Sequence, residues 1–320
     1  MANNQFPVLK PKALKKNSRI GLIAPAGPIN ESQLAKAQDN LLEMGFRSCF
    51  TDRILHRKGY LAGEDSTRLD DLHEAFENND IDAILCIRGG YGSARIIDQI
   101  DFELIKQNPK IFIGYSDITA LLNIIWQKTG LICFHGVVGT SAFSEYTKSQ
   151  FQKLFFNQVS DNEIYTAQPT LLEVLNKGKA KGQLVGGNLA IINSLLATPF
   201  ELDFTNKIVF LEDVGETPYK IDRMLTQLLL SGNLQKAAGI ILGTFKNCDI
   251  DQEEITPENS LSLIQVFEDK LKSLDIPVIS NFSFGHIKDQ AIFPIGIEAE
   301  IDTTRNSIRL LESVFKTEDD

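Results

Sequence analysis

Short unbroken apolar runs alternate along the chain with stretches in which apolar residues recur every three or four positions. The first pattern predicts strands buried on both faces of a parallel sheet, and the second predicts amphipathic helices. Residues 18–24 (SRIGLIA) form the first run, broken by Pro25-Ala26-Gly27-Pro28. Asn30 can cap the next helix, which runs through Leu34, Ala37, Leu41 and Leu42, and Gly45 is placed to end it. Residues 46–50 begin a further strand, and residues 59–65 a polar loop. A helix over residues 68–79 carries Leu69, Leu72, Ala75 and Phe76 on one face. Residues 81–87 (IDAILCI) and 110–114 predict two more strands, with a helix over 94–100 between them. Strands alternating with helices predict a parallel α/β sheet.

Residues 131–139 (LICFHGVVG) are apolar and close this first half. From Thr140 to about Lys179 the texture turns polar, so residues 141–152, 157–162 and 176–181 read as peripheral segments and linker. The expected division is an N-terminal domain over residues 1–150, a linker over 151–180 and a C-terminal domain over 181–320. In the second half, residues 182–188 (GQLVGGN) precede a helix over 190–196 that Pro199 stops. Residues 207–211 (KIVFL) are a strand with an acidic end, Glu212-Asp213. A helix over 221–230 ends at Gly232, and residues 238–245 (AGIILGTF) are a strand. A helix over 261–274, a strand over 278–283 and tail strands over 293–297 and 301–311 complete a mixed α/β pattern.

Ligands in open α/β sheets gather at the carboxyl ends of the strands. Two features fall there. Arg88-Gly89-Gly90-Tyr91-Gly92 follows the strand at 81–87, and Gly114-Tyr115-Ser116-Asp117 follows the strand at 110–114. The helical pattern after Ser116 (Ile118, Leu121, Leu122, Ile125, Trp126) puts this serine on a strand-to-helix corner. Such a serine is either a helix N-cap or the nucleophile of an elbow whose following amide helps bind an oxyanion. The glycines are either a tight turn or a backbone N–H cradle; they are neither G-x-G-x-x-G nor a Walker loop. A serine nucleophile needs a base, usually a histidine held by a carboxylate. His286 stands in a polar loop beside Gly285, and His135 follows a strand of the serine's own half, whereas His56 and His73 have no comparable setting. Glu212, Asp213 and Glu216 compete as the carboxylate, and pattern alone leaves the choice open.

Composition narrows the partners. The chain of 320 residues is 43% hydrophobic with a net charge of −10, which argues against nucleic acid as a partner. The one basic cluster, over residues 10–19, reads as a solvated arm. The first 16 residues contain no apolar core of a signal peptide, and no run has the length of a membrane span. Cys49, Cys86, Cys133 and Cys248 are scattered without C-x-x-C spacing, which suits free thiols in the cytoplasm. The four histidines show no metal-ligand spacing, so neither metal nor cofactor is expected.

Six separated segments together resemble the LD-carboxypeptidase family of serine peptidases, which includes murein tetrapeptide carboxypeptidases and microcin C immunity peptidases. They are 88–92 (RGGYG), 109–117 (PKIFIGYSD), 186–188 (GGN), 211–216 (LEDVGE), 222–225 (DRML) and 284–286 (FGH), within a likeness spanning about residues 19–311. The resemblance implies Ser116 as nucleophile, Glu212 as orienting carboxylate and His286 as general base, with an oxyanion hole from the Gly90 and Asp117 amides. It also implies an active site in the cleft between the two domains, a homodimer, and murein tetrapeptide as substrate, cut at its L,D bond to release D-alanine. Arg88, Arg95, Glu216 and Asn188 are candidate substrate contacts. Gly136-Val137-Val138 departs from the glycine-proline common after the histidine in the family. Two other readings are carried: a microcin-immunity peptidase acting on aminoacyl-adenylate-like amides, for which Phe143 and Tyr146 would supply stacking, and a non-catalytic two-domain ligand-binding protein.

Overall fold

The computed structural model describes residues 7–156, 162–249 and 259–316. In chain order the helices are α1 (Glu31–Glu43), α2 (Asp65–Glu77), α3 (Phe102–Gln107), α4 (Thr119–Thr129), α5 (Glu145–Phe155), α6 (Leu189–Ser194), α7 (Pro218–Leu230) and α8 (Leu263–Leu271). The strands are β1 (Arg19–Ile23), β2 (Arg47–Cys49), β3 (Ala83–Cys86), β4 (Ile111–Gly114), β5 (Cys133–His135), β6 (Glu163–Tyr165), β7 (Glu173–Asn176), β8 (Lys179–Asn188), β9 (Ile208–Val214), β10 (Gly239–Lys246), β11 (Val278–Ser280), β12 (Phe293–Ile295), β13 (Glu298–Asp302) and β14 (Ser307–Leu310).

The chain divides into two compact units, one of Met1–Asn162, Ile292–Ile297 and Ser313–Asp320, the other of Glu163–Ala291 and Glu298–Glu312. The sheet of the first unit has the order β12-β5-β4-β3-β1-β2. Strands β5 to β2 run parallel, while β12 pairs antiparallel with β5. That edge strand comes from the far end of the sequence. Its turn needs Gly296, where an added Cβ would lie 2.0 Å from Trp126 Nε1. α1 starts on a capping box between Asn30 and Gln33, and Gly45 follows it with φ of 82°.

The polar texture after Thr140 hides a helix. α5 carries Phe151 and Phe155 into a cluster with Phe46, Phe134 and Phe315, so two aromatic positions one turn apart anchor it. Residues 151–180 therefore supply the end of α5 to the first unit and β6 and β7 to the second. Residues 157–161 of the expected linker lie outside the described residues. The helix expected over 94–100 is two 3-10 turns, with α3 following under an Asp101 cap.

The second unit's sheet has the order β6-β14-β13-β8-β9-β10-β11-β7. Its centre, β8-β9-β10-β11, is parallel, and antiparallel strands extend both edges. Gly186 in β8 has φ of 140°, and a Cβ there would lie 1.9 Å from Phe210 O, so only glycine allows β8 and β9 to approach at this point. Among the described residues no helix is long and apolar enough to cross a membrane.

Candidate active site

In the first unit three adjacent strands, β1, β3 and β4, present their following loops side by side. Gly27 N donates to Gly89 O at 3.0 Å, joining the first two loops. Ser116 follows β4 with φ of 64°, a left-handed conformation that costs a non-glycine residue roughly 1–2 kcal/mol. A 3-10 turn (Ser116–Ile118) then leads into α4. Two glycines make room for this corner. A Cβ on Gly114 would lie 2.7 Å from Ile118 Cγ2, and one on Gly89 would lie 2.8 Å from Ser116 Cβ and 3.0 Å from its Oγ. The corner is thus an elbow of the G-x-S type, with Ile118 instead of a second glycine filling the space beside Gly114.

Asp117 ties the elbow to the glycine loop. Its buried Oδ2 accepts from Ser93 N at 2.8 Å, and its carbonyl accepts from Ser93 Oγ at 2.5 Å. Burial raises the Asp117 pKa, against the lowering effect of the Ser93 hydrogen bonds. Gly90 is exposed, with φ of 114°, and its Cα packs against the backbone of Gly27. A further tie went unread in the sequence. Arg68 is buried, donates from Nη1 to Gly92 O at 2.8 Å and to Pro25 O, and pairs with Asp65. Its signal was an arginine four, seven and eight residues before Leu72, Ala75 and Phe76, on the core face of α2.

In the second unit, the buried Glu212 pairs with the partly exposed His286, whose Nδ1 lies 2.7 Å from Glu212 Oε2. The histidine loop crosses β10 to reach β9. β10 departs from regular register between Leu242 and Phe245, and a Cβ on Gly243 there would lie 2.8 Å from the Phe284 ring. Gly285, with φ of 103°, turns the loop. A Cβ on it would lie 2.8 Å from Glu212 Oε2, so this position cannot carry a side chain without disturbing the pair. Gln290 Nε2 donates to Gly285 O at 2.8 Å and Ile287 O at 2.9 Å, closing the loop.

The competing carboxylates differ in their hydrogen-bond partners. Asp213 accepts from Val214 N at 2.8 Å, Ala190 N at 2.9 Å and Asn188 Nδ2 at 3.0 Å. Glu216 pairs with Lys220 Nζ at 3.1 Å. Asn188 is buried, donates to Glu212 Oε1 at 3.3 Å and caps α6 through Ile191 N, a positioning arrangement. Of the arginines, Arg88 donates to Pro28 O at 3.0 Å and Arg95 holds Asp65 through contacts of 2.6 to 3.1 Å. The Arg95 and Arg68 hydrogen bonds outweigh burial and draw Asp65 down to about 2. His135 is buried at the end of β5, edge-on to Tyr115 at 6.2 Å. His73 accepts from Asp101 N at 3.0 Å. Phe143 packs on Phe151 of α5 at 6.2 Å.

Burial, reinforced by the Glu212 charge, pushes Asp213 up to about 6 from the usual carboxylate value. The folded state therefore binds this proton more tightly than the unfolded chain. The stability it contributes is complete below about pH 4 and is lost as pH rises to about 6. Unfolding free energies of wild type and Asp213→Asn across pH 4 to 7 should converge or cross in that sense, with wild type losing up to about 3 kcal/mol relative to the variant. A flat difference would show that Asp213 titrates as it does in the unfolded chain.

The four cysteines are free thiols. Among the described residues no group of three or more His, Cys, Asp or Glu side chains could hold a metal ion.

Comparison with known proteins finds two matching family models in the chain. Residues 20–136 match the LD-carboxypeptidase N-terminal domain, and residues 181–301 match the LD-carboxypeptidase C-terminal domain. A probable murein peptide carboxypeptidase of Bacillus subtilis (strain 168) is 43% identical over 304 residues, 93% of each chain. The murein tetrapeptide carboxypeptidase of Pseudomonas aeruginosa is 31% identical, over 90% of this chain and 94% of its own. The crystal structure of an MccF-like protein from Bacillus anthracis str. Ames superposes with a TM-score of 0.82 at 30% identity, covering 95% of this chain and 99% of that one.

Proposed function

This chain belongs to the LD-carboxypeptidase family, and from that premise we propose that it releases the terminal D-alanine of murein tetrapeptide by cutting the L,D bond, in peptidoglycan recycling. It is a serine-type carboxypeptidase, and Ser116, Glu212 and His286 are its triad. The observation that carries the reading is Ser116 held at φ of 64° on a strand-to-helix elbow lined by glycines. A strained serine kept in place by its surroundings fits a nucleophile better than a helix cap. The tyrosine before it, not the serine, is the extended residue at the start of the turn, and no side-chain cap bond forms there.

Glu212 accepts a hydrogen bond from His286 Nδ1–H, which leaves Nε2 as the basic nitrogen of the neutral ring. Nε2 takes the Ser116 proton, and Oγ attacks the carbonyl carbon preceding D-alanine. The tetrahedral oxyanion is held by the Gly90 and Asp117 amides. His286 then protonates the departing amine, and a water activated by the same nitrogen hydrolyses the acyl-enzyme. The mechanism requires Nε2 and Oγ within hydrogen-bond reach, about 2.6–3.2 Å, when substrate is bound. The enzyme is read as a cytoplasmic homodimer.

Mass spectrometry of murein tetrapeptide incubated with the protein should show tripeptide and free D-alanine; intact tetrapeptide would overturn the assignment. A second reading, a peptidase of the microcin-immunity type, draws on the likeness to the MccF-like protein. Cleavage of an acyl-sulfamoyl adenosine in preference to the tetrapeptide would favour it.

A further inference from the structure

The lysine-rich segment over residues 10–19 is not a solvated arm. Leu9 N donates to Gly130 O at 2.9 Å, and its carbonyl accepts from Ile132 N at 3.0 Å. Leu14 is buried and its N–H donates to Phe155 O at 2.8 Å, while Pro11 O accepts from Lys316 N at 3.0 Å. The segment is stitched across the first unit, and one wall of a groove of about 390 Å³ is made from it. The groove lies at the N-terminal ends of β1, β3 and β4. Ser116 lies past the opposite end of β4, roughly 20 Å away by strand rise.

Lys10, Lys12, Lys15, Lys110 and Lys316 line this groove against one carboxylate, Asp82, which accepts from Arg19 N at 2.8 Å. The flanking Asp80 pairs with Arg19 at 3.3 Å. In a chain of net charge −10, gathering five lysines around one concavity is not a by-product of composition. An anion held among them would relieve their mutual repulsion. Lys110 is fixed at the floor, where Nζ donates to Ala75 O at 3.0 Å and to Asn78 O at the end of α2. Burial pushes this ammonium down to about 8, and a phosphate beside it would keep it charged. Asn79 and Asn108 also line the groove, the latter with its amide donating to Leu104 O at 2.9 Å.

We propose that this groove binds a small oligophosphate, a ligand with two or more linked phosphate groups. Its volume falls in the range of small-ligand sites, about 300–1,000 Å³. Among the described residues the cationic lining is lysine alone. Lysine supplies compact, freely rotating point charges, which suit the several oxygens of linked phosphates.

Calorimetric titration of the full chain with inorganic tripolyphosphate tests the proposal. One saturable event is expected at low ionic strength, weaker near 0.15 M salt, where screening acts within about 8 Å. Lys12→Glu/Lys15→Glu should weaken it at least about 30-fold, and Lys12→Gln/Lys15→Gln several-fold, on the order of one charge contact per lysine. D-alanine release measured without tripolyphosphate should be the same in these variants as in wild type. Lys236→Glu/Lys272→Glu, in the second unit, should leave the affinity unchanged. The proposal fails if wild type shows no saturable binding, if the groove variants bind as tightly as wild type, or if the control variant loses as much affinity as they do.

Discussion

Ser116→Ala should lower kcat for D-alanine release by about 10⁴- to 10⁶-fold while tetrapeptide binding survives. The size follows from the role: without Oγ no acyl-enzyme forms, and the remaining amides can only polarise the carbonyl toward water. The backbone offers a second readout. At φ of 64°, alanine is strained as serine is, whereas glycine is not. Ser116→Gly should therefore be equally inactive but more stable than Ser116→Ala by roughly 0.5–1 kcal/mol, after its greater unfolded-state entropy is deducted. Tetrapeptide cleavage by either variant at the wild-type rate would remove Ser116 from the mechanism. Equal denaturation midpoints for the two would show that the elbow stores no strain.

Glu212→Gln should lower kcat by about 10⁴-fold with the fold intact. Asn188 Nδ2 donates to Oε1, so a glutamine here is directed to place its carbonyl oxygen toward Asn188 and its amide NH₂ toward His286. An NH₂ facing Nδ1 makes that nitrogen an acceptor and moves the ring proton to Nε2, where it blocks uptake of the serine proton. Glu212 is fully buried, so water is poorly placed to correct the tautomer. Glu216→Gln removes a contact to Lys220 and should change kcat less than about threefold. Comparing the two rates decides the assignment, and a larger loss at Glu216 would reverse it.

The parts of this molecule legible from sequence were those encoded locally. Apolar runs marked β1, β3, β4, β9 and β10, because a strand buried on both faces is mostly apolar. Asn30 and Gly45 marked the ends of α1, because caps and left-handed residues use few side-chain types. Helix α5 was missed because Phe151 and Phe155 are isolated in polar sequence, and their partners Phe46, Phe134 and Phe315 are remote in the chain. The segment over residues 10–19, in which Lys12, Lys15 and Lys16 are exposed, was misread as a free arm for a similar reason. The backbone hydrogen bonds that hold the segment, at Leu9, Leu14 and Pro11, run to Gly130, Phe155 and Lys316.

What the sequence determined unaided was the α/β class, the strand-to-helix corner at Ser116 and the short set of residues from which a base and a carboxylate could be drawn. Tertiary structure alone shows which of them pair: Glu212 with His286. Glu212 meets His286, whereas Asp213 accepts from Ala190 N at the start of α6. The irregular step in β10 and the glycines at 243 and 285 let the histidine loop reach β9. The buried Asp117 and Arg68 side chains locked the elbow to its neighbouring loops. The physical reason is range. Caps, turns and periodicity act over a few residues, whereas the partner of a buried charge is set by register and packing between segments dozens of residues apart.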